Sequence, residues 1–129
     1  MSALSSKTNA VSAATIVQVT NTVNKVFHMQ DSGDGEGFAR CFAKNGASCT
    51  VEKANKTWSG EKELISLGMW LYNTFTVAKG CRHWEGNVYV TALTPEDAAA
   101  LGHPVAVRQI SYWKSLSGGD VLSSGTHED

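Results

Sequence analysis

The spacing of apolar residues changes along the chain. Ile16, Val19, Val23, Val26 and Phe27 recur at steps of 3, 4, 3 and 1, which is one face of a helix and predicts an element from Ser12 to Gln30. Intrinsic propensity opposes this, because Thr15, Ile16, Val17, Val19, Thr20, Thr22, Val23 and Val26 are all β-branched. The period decides the matter: a strand would alternate, and Thr20, Asn21 and Thr22 break alternation while fitting a polar helical face. Residues 1–11 read as a frayed arm. Asp31-Ser32-Gly33-Asp34-Gly35 is a turn in which Asp34 or Ser32 can cap a second, short helix carrying Phe38, Ala39, Cys41, Phe42 and Ala43. Asn45-Gly46 would stop that helix in a left-handed conformation.

A strand over Ala47 to Lys53 and a polar strand over Lys56 to Ser59 follow, with Ala54-Asn55 as their tight turn. Gly60-Glu61-Lys62-Glu63 opens a third helix with two acids in its first turn, where the helix dipole favours them. Leu64, Leu67, Gly68, Leu71 and Phe75 form its stripe; Thr74 to Val77 fray it and Lys79-Gly80 end it. The period then falls to two. Cys81 to Leu93, Val105 to Leu116 and Val121 to Glu128 read as strands rich in Val, Tyr, Trp and Thr. Thr94-Pro95 starts a helical turn between the first two, and Ser117-Gly118-Gly119-Asp120 is a hairpin turn between the last two. Helix, helix, strand pair, helix and three antiparallel strands make an α+β arrangement with helices on one face of a curved sheet.

The chain of 129 residues is 42% hydrophobic and 18% charged, enough for one core, and reads as a single domain over 1–129. Eleven Lys and Arg against twelve Asp and Glu give a formal net charge of -1, which supplies no basic footprint for nucleic acid and no polybasic membrane patch. No apolar run approaches the roughly 18–20 residues of a membrane span. Met1 to Ala14 lacks the apolar core of a secretory signal. Cys41, Cys49 and Cys81 form no CxxC and read as reduced thiols, so a cytoplasmic setting is expected. Asp31-x-Gly33-Asp34-Gly35 lacks the ligands of a calcium loop, since its twelfth position is Phe42. No phosphate-binding loop, nucleophile elbow or metal cluster is present in the sequence, so no cofactor and no metal are expected.

Several stretches, taken in order, resemble one family. They are Asp31-Ser-Gly-Asp34-x-x-x-Phe38-Ala39-x-Cys41-Phe42-Ala43, Gly60-x-x-x-Leu64-Ile65, Arg82-His83-x-x-x-Asn87-Val88, Ser111-Tyr112-Trp113 and Ser124-Gly125-Thr126-His127-Glu128-Asp129. From Ile16 to Asp129 the chain resembles the SnoaL-like branch of the nuclear transport factor 2-like superfamily, which includes polyketide cyclases, ketosteroid isomerases and scytalone dehydratase. The resemblance implies a cone: a bent antiparallel sheet around three helices, a cystatin-like α+β barrel open at one end to an apolar pocket. It also implies a final strand beyond the Gly-x-x-x-Asp stretch, which this chain does not contain.

The resemblance further implies that Asp31 pairs with His83 inside the pocket. A carboxylate on one ring nitrogen fixes the tautomer and orients the other. Such a histidine can take a proton from carbon beside a carbonyl or deliver one to a leaving hydroxyl. The family's accessory tyrosines fall at Gln30 and Thr50, and its second histidine falls near Arg108 and Gln109, where there is none. His83 is equally readable as a structural histidine, and Asp31 as a turn acid. Trp58, Trp70, Tyr72, Thr50, Asn87 and Gln109 are the candidate substrate-binding residues. His127 reads as a solvated histidine near the chain end or as a polar group of the pocket, and His28 and His103 read as surface residues. The implied function is binding of a small apolar or aromatic carbonyl compound, with cofactor-free dehydratase, isomerase or cyclase chemistry on the Asp31–His83 pair. The alternative is a non-catalytic binding or dimerisation module with a vestigial pocket. A homodimer through the sheet face is implied in either case. On strict alternation Cys81, His83, Glu85, Asn87 and Tyr89 share one face, and Arg82, Trp84, Val88 and Val90 the other, unless a bulge intervenes.

Overall fold

The computed structural model describes residues 11–103, 106–118 and 120–128. The arm expected at 1–11 lies outside them except for Val11, as do Val105 and Gly119. Helix α1 runs Ala13–Ser32. Ser12 caps it, its hydroxyl accepting from the Thr15 N–H at 3.1 Å. The β-branched run is helical because tertiary burial outweighs propensity: Val23 and Gln30 are buried, and α1 packs on α2 and on the third strand. Ile16, expected on the inner stripe, stays 41% exposed near the first turn. Gly33 ends α1 at φ 77. A Cβ there would meet the Tyr72 ring at 2.9 Å, so both backbone and packing require glycine.

Helix α2 is Gly35–Arg40, and the Asp34 carboxylate accepts the Gly37 N–H at 2.7 Å. It stops earlier than Asn45-Gly46. Cys41 N–H reaches Phe38 O and Phe42 N–H reaches Ala39 O, and these three-residue bonds tighten and end the last turn. Strands β1 (Ser48–Val51) and β2 (Lys56–Ser59) form a hairpin. Its connection is a 3-10 turn at Glu52–Ala54 with Asn55 left-handed at φ 48, rather than a two-residue turn.

Helix α3, Gly60–Leu71, passes into a π turn at Tyr72–Val77 instead of fraying. The Cys81 N–H then bonds to Phe75 O at 3.0 Å, which leads directly into β3, Arg82–Ala92. Helix α4, Pro95–Ala100, is capped by Thr94, whose hydroxyl accepts from Asp97 N–H at 3.2 Å. Strands β4 (Val107–Ser117) and β5 (Asp120–Glu128) complete an antiparallel sheet of order β3-β4-β5. Among the described residues the sheet is in two pieces, three strands and the β1-β2 pair, and it is not closed. Phe38, Ala39, Trp58, Leu64 and Leu67 form the core where α2, α3 and the hairpin meet. Gly68 allows that approach, since a Cβ there would lie 2.9 Å from Phe38.

A bulge decides the faces of β3. Gly86 pairs with Tyr112 but Tyr89 with Ile110, so β3 carries one extra residue, and Asn87 takes φ 54 there. His83 and Glu85 point inward before it, whereas Asn87 and Tyr89 are exposed after it and Val90 is buried. Strict alternation therefore fails at Asn87, because the inserted residue reverses every later side chain.

Candidate functional site

Asp31 lies in the last turn of α1, where the helix dipole disfavours a negative side chain. Two donors from the start of β3 offset this. The His83 backbone N–H donates to Asp31 Oδ2 at 2.7 Å, and His83 Nδ1–H donates to Oδ1 at 2.8 Å. The imidazole and carboxylate side chains are only 7% and 12% exposed. A carboxylate can only accept, so the proton of the neutral ring sits on Nδ1 and Nε2 presents its lone pair. The Gln30 amide nitrogen lies 3.2 Å from Nδ1 and 3.3 Å from Nε2. With Nδ1–H given to Asp31, the amide can serve only Nε2.

Rings enclose this imidazole. Phe27 stacks on it at 5.2 Å, Phe75 meets it edge-on at 6.4 Å and Trp113 tilts toward it at 6.1 Å. The π turn sets Phe75 in place, and Gly125 opposite Trp113 leaves room for the indole, since a Cβ there would lie 2.8 Å from it. His83 and Asp31 border a recess of about 720 Å³ between α1 and β3, together with Phe27, Arg82, Trp84 and Glu85.

Phe27 also meets His127 edge-on at 5.6 Å. His127 lines a second, mostly apolar cavity of about 340 Å³ with Val19, Val23, Val26, Phe42 and Gln109. Phe27 therefore stands between recess and cavity. Both volumes fall within the roughly 300–1,000 Å³ of small-molecule sites. Cys41 also lines the cavity. Burial pushes its thiol up from the ordinary value; Lys25 opposes the shift and Asp34 adds to it. Its Sγ–H donates to Gly37 O at 3.3 Å.

The comparisons with known proteins separate sequence from shape. No protein-family model and no curated protein matches the chain. Solved structures do. Aln2 from a Streptomyces species superposes with a TM-score of 0.65 at 21% identity, over 92% of this chain and 78% of that one. A protein of unknown function with a cystatin-like fold from Nostoc punctiforme reaches 0.71 at 19% identity, over 92% and 80%. An NTF2-like protein with a cystatin-like fold from Novosphingobium aromaticivorans gives 0.55 at 19%, over 86% and 64%. The chain has the cystatin-like fold of nuclear transport factor 2-like proteins. At these identities the likeness is one of fold.

On this cystatin-like frame the residues singled out in the sequence separate into groups. Asp31 and His83 come together. Gln109 is buried and lines the apolar cavity. Trp58 is buried in the core with Trp70 stacked on it at 5.7 Å, and Tyr72 covers Gly33. Thr50 is exposed and shares a hydrogen bond with Thr57 across the hairpin. Asn87 occupies the bulge. Trp58, Trp70, Tyr72, Thr50 and Asn87 are not among the described residues lining either opening.

Sequence reasoning missed Glu85. Its side chain is 1% exposed, and Oε1 accepts from His127 Nδ1–H at 2.9 Å and from the Ser111 hydroxyl. His127 is thus a held group of the cavity wall and not a solvated terminal histidine. The signal that could have found this is cross-strand register: Ser111 pairs with His127, and Glu85 sits on β3 two residues beyond His83. Among the described residues no three His, Cys, Asp or Glu side chains converge as a metal set, and no helix is long and apolar enough to cross a membrane.

Proposed function

We propose that the chain binds a small carbonyl-containing molecule in the recess and moves a proton on it with the Asp31–His83 pair, without a cofactor. The observation that carries this reading is the buried Asp31–His83 hydrogen bond at 2.8 Å beside an opening of ligand size. His83 Nε2 takes the proton from carbon beside the carbonyl. The C–H electron pair becomes the enolate, and Asp31 stabilises the imidazolium that forms. Returned to a different carbon, the proton completes an isomerisation; given to a leaving hydroxyl, it releases water. The ligand must first displace the Gln30 amide from Nε2, and because a C–H takes its place no equal hydrogen bond is regained there, at a cost of about 1 kcal/mol or more.

The test is turnover of a panel of cyclic enones and hydroxy-ketones. His83→Ala should lower it by about 10²–10⁴-fold, and Asp31→Asn by a comparable factor, because an amide has one acceptor oxygen for the two His83 N–H donors and either loses the backbone bond or reverses the ring tautomer. A panel turned over equally by all three proteins contradicts the reading.

A second reading, a binding or dimerisation module, is favoured by the outer sheet face. Trp84 is 60% exposed, Tyr112 56% and Tyr89 44%, and Lys114 lies over Trp84 at 5.4 Å. Under this reading a second copy of the chain covers that face.

A further inference from the structure

The recess and the apolar cavity meet at one residue of α1. Phe27 borders the recess, where its ring stacks on His83 at 5.2 Å, and it meets His127 of the cavity wall edge-on at 5.6 Å. Each imidazole is itself held by a carboxylate, His83 by Asp31 at 2.8 Å and His127 by Glu85 at 2.9 Å. A ring set between two anchored rings is fixed by more than its own burial, since aromatic contacts stabilise beyond the area they cover. The Glu85–His127 pair closes the sheet side of the same partition, with the Glu85 side chain 1% exposed. Behind it the cavity of about 340 Å³ runs along α1. Val19, Val23 and Phe27 stand four residues apart, so their side chains lie one above another on one face of the helix, and Val19 and Val23 line the cavity with Val26 and Phe42. A hydrocarbon tail entering that space would gain about fourfold in affinity for each methylene taken out of water. The partition denies this gain to a molecule in the recess.

We infer that Phe27 sets the size of the ligand: the protein selects a compact ketone whose far end stops at this ring, and discriminates against a ketone that continues into a linear alkyl tail. The assignment rests on the proposed recess function and narrows its substrate class. Phe27 determines specificity, while Asp31 and His83 move the proton. Loss of the ring would join the two openings. Val23, one helical turn or about 5.4 Å further along α1, is then the first cavity side chain that a tail meets.

The test compares dissociation constants for 6-ethyl-1-tetralone and 6-hexyl-1-tetralone, whose tails point away from the carbonyl, by calorimetry. In the wild-type protein the longer tail should tighten binding by less than threefold. In Phe27→Ala it should tighten binding at least tenfold. Val23→Phe added to Phe27→Ala refills the passage and should return the ratio below threefold. Phe27→Leu should fall between wild type and Phe27→Ala, and it carries the test if the alanine variant does not fold. General loosening of the fold would weaken both ligands together and leave the ratio where it was. Equal ratios in the wild type and the Phe27 variants, or a raised ratio that Val23→Phe does not lower, overturn the assignment alone. If 6-ethyl-1-tetralone does not bind the wild-type protein, this assignment and the recess function both fail.

Discussion

At the scale of the residue, the site is a set of polar atoms whose partners come from distant parts of the chain. Asp31 and His83 are 52 positions apart, and Glu85 and His127 are 42. The first pair was legible because its two motifs resemble those of a family. The second was not, since nothing local marks Glu85 as buried, and His127 near the end of the sequence has the look of a solvated residue. Cys41 offers a test at this scale. Burial raises its thiol above the ordinary value, so at neutral pH less thiolate exists than in an exposed cysteine, and the thiolate is the reactive form. Iodoacetamide should label Cys41 more slowly in the folded than in the urea-unfolded protein, with the rise in rate shifted to higher pH in the folded state. Peptide mass spectrometry over a pH series checks this, and equal profiles would contradict it.

At the scale of the element, periodicity located α1, α3 and the three long strands, turn and capping residues located the β1-β2 hairpin and α4, and the discrepancies come from local irregularity. The run Thr15 to Val26 favours a strand by propensity, yet it is helical, because the 3.6-residue stripe finds β3 and α2 to pack on. The end of α2, the π turn and the bulge in β3 were not legible. The end of α2 is set by local three-residue bonds, the π turn takes up Tyr72–Val77, and the bulge adds one residue to β3. The bulge matters most, since it turns His83 and Glu85 inward while releasing Asn87 and Tyr89 outward. Asn87 at φ 54 is a residue type that tolerates this conformation. Asn87→Val should cost about 1–2 kcal/mol, and Asn87→Gly should cost nothing or stabilise, as read from urea unfolding midpoints. Equal effects of the two would argue against the bulge.

At the scale of the whole molecule, α1 lies over the inner face of the sheet with an opening on each side of Phe27, and the outer face presents Trp84, Tyr89 and Tyr112. The α+β arrangement was legible from the order of elements, and the cystatin-like fold from the resemblance of the motifs to a family. The location of the openings was not, because their walls join α1 to side chains of β3, β4 and β5 that lie far along the chain. If a second copy covers the outer face, sedimentation velocity should show a dimer, and Trp84→Glu with Tyr112→Glu should convert it to a monomer; a wild-type monomer at all concentrations would remove that reading.

The central claim is that His83, held by Asp31, exchanges a proton with carbon beside a ligand's carbonyl. Proton NMR of 1-tetralone in heavy water measures this directly, as loss of the signal from the carbon next to the carbonyl. The account predicts that the wild-type protein speeds this exchange well above the buffer rate and that His83→Ala returns it to within a few-fold of buffer. Equal exchange with and without the imidazole would contradict it.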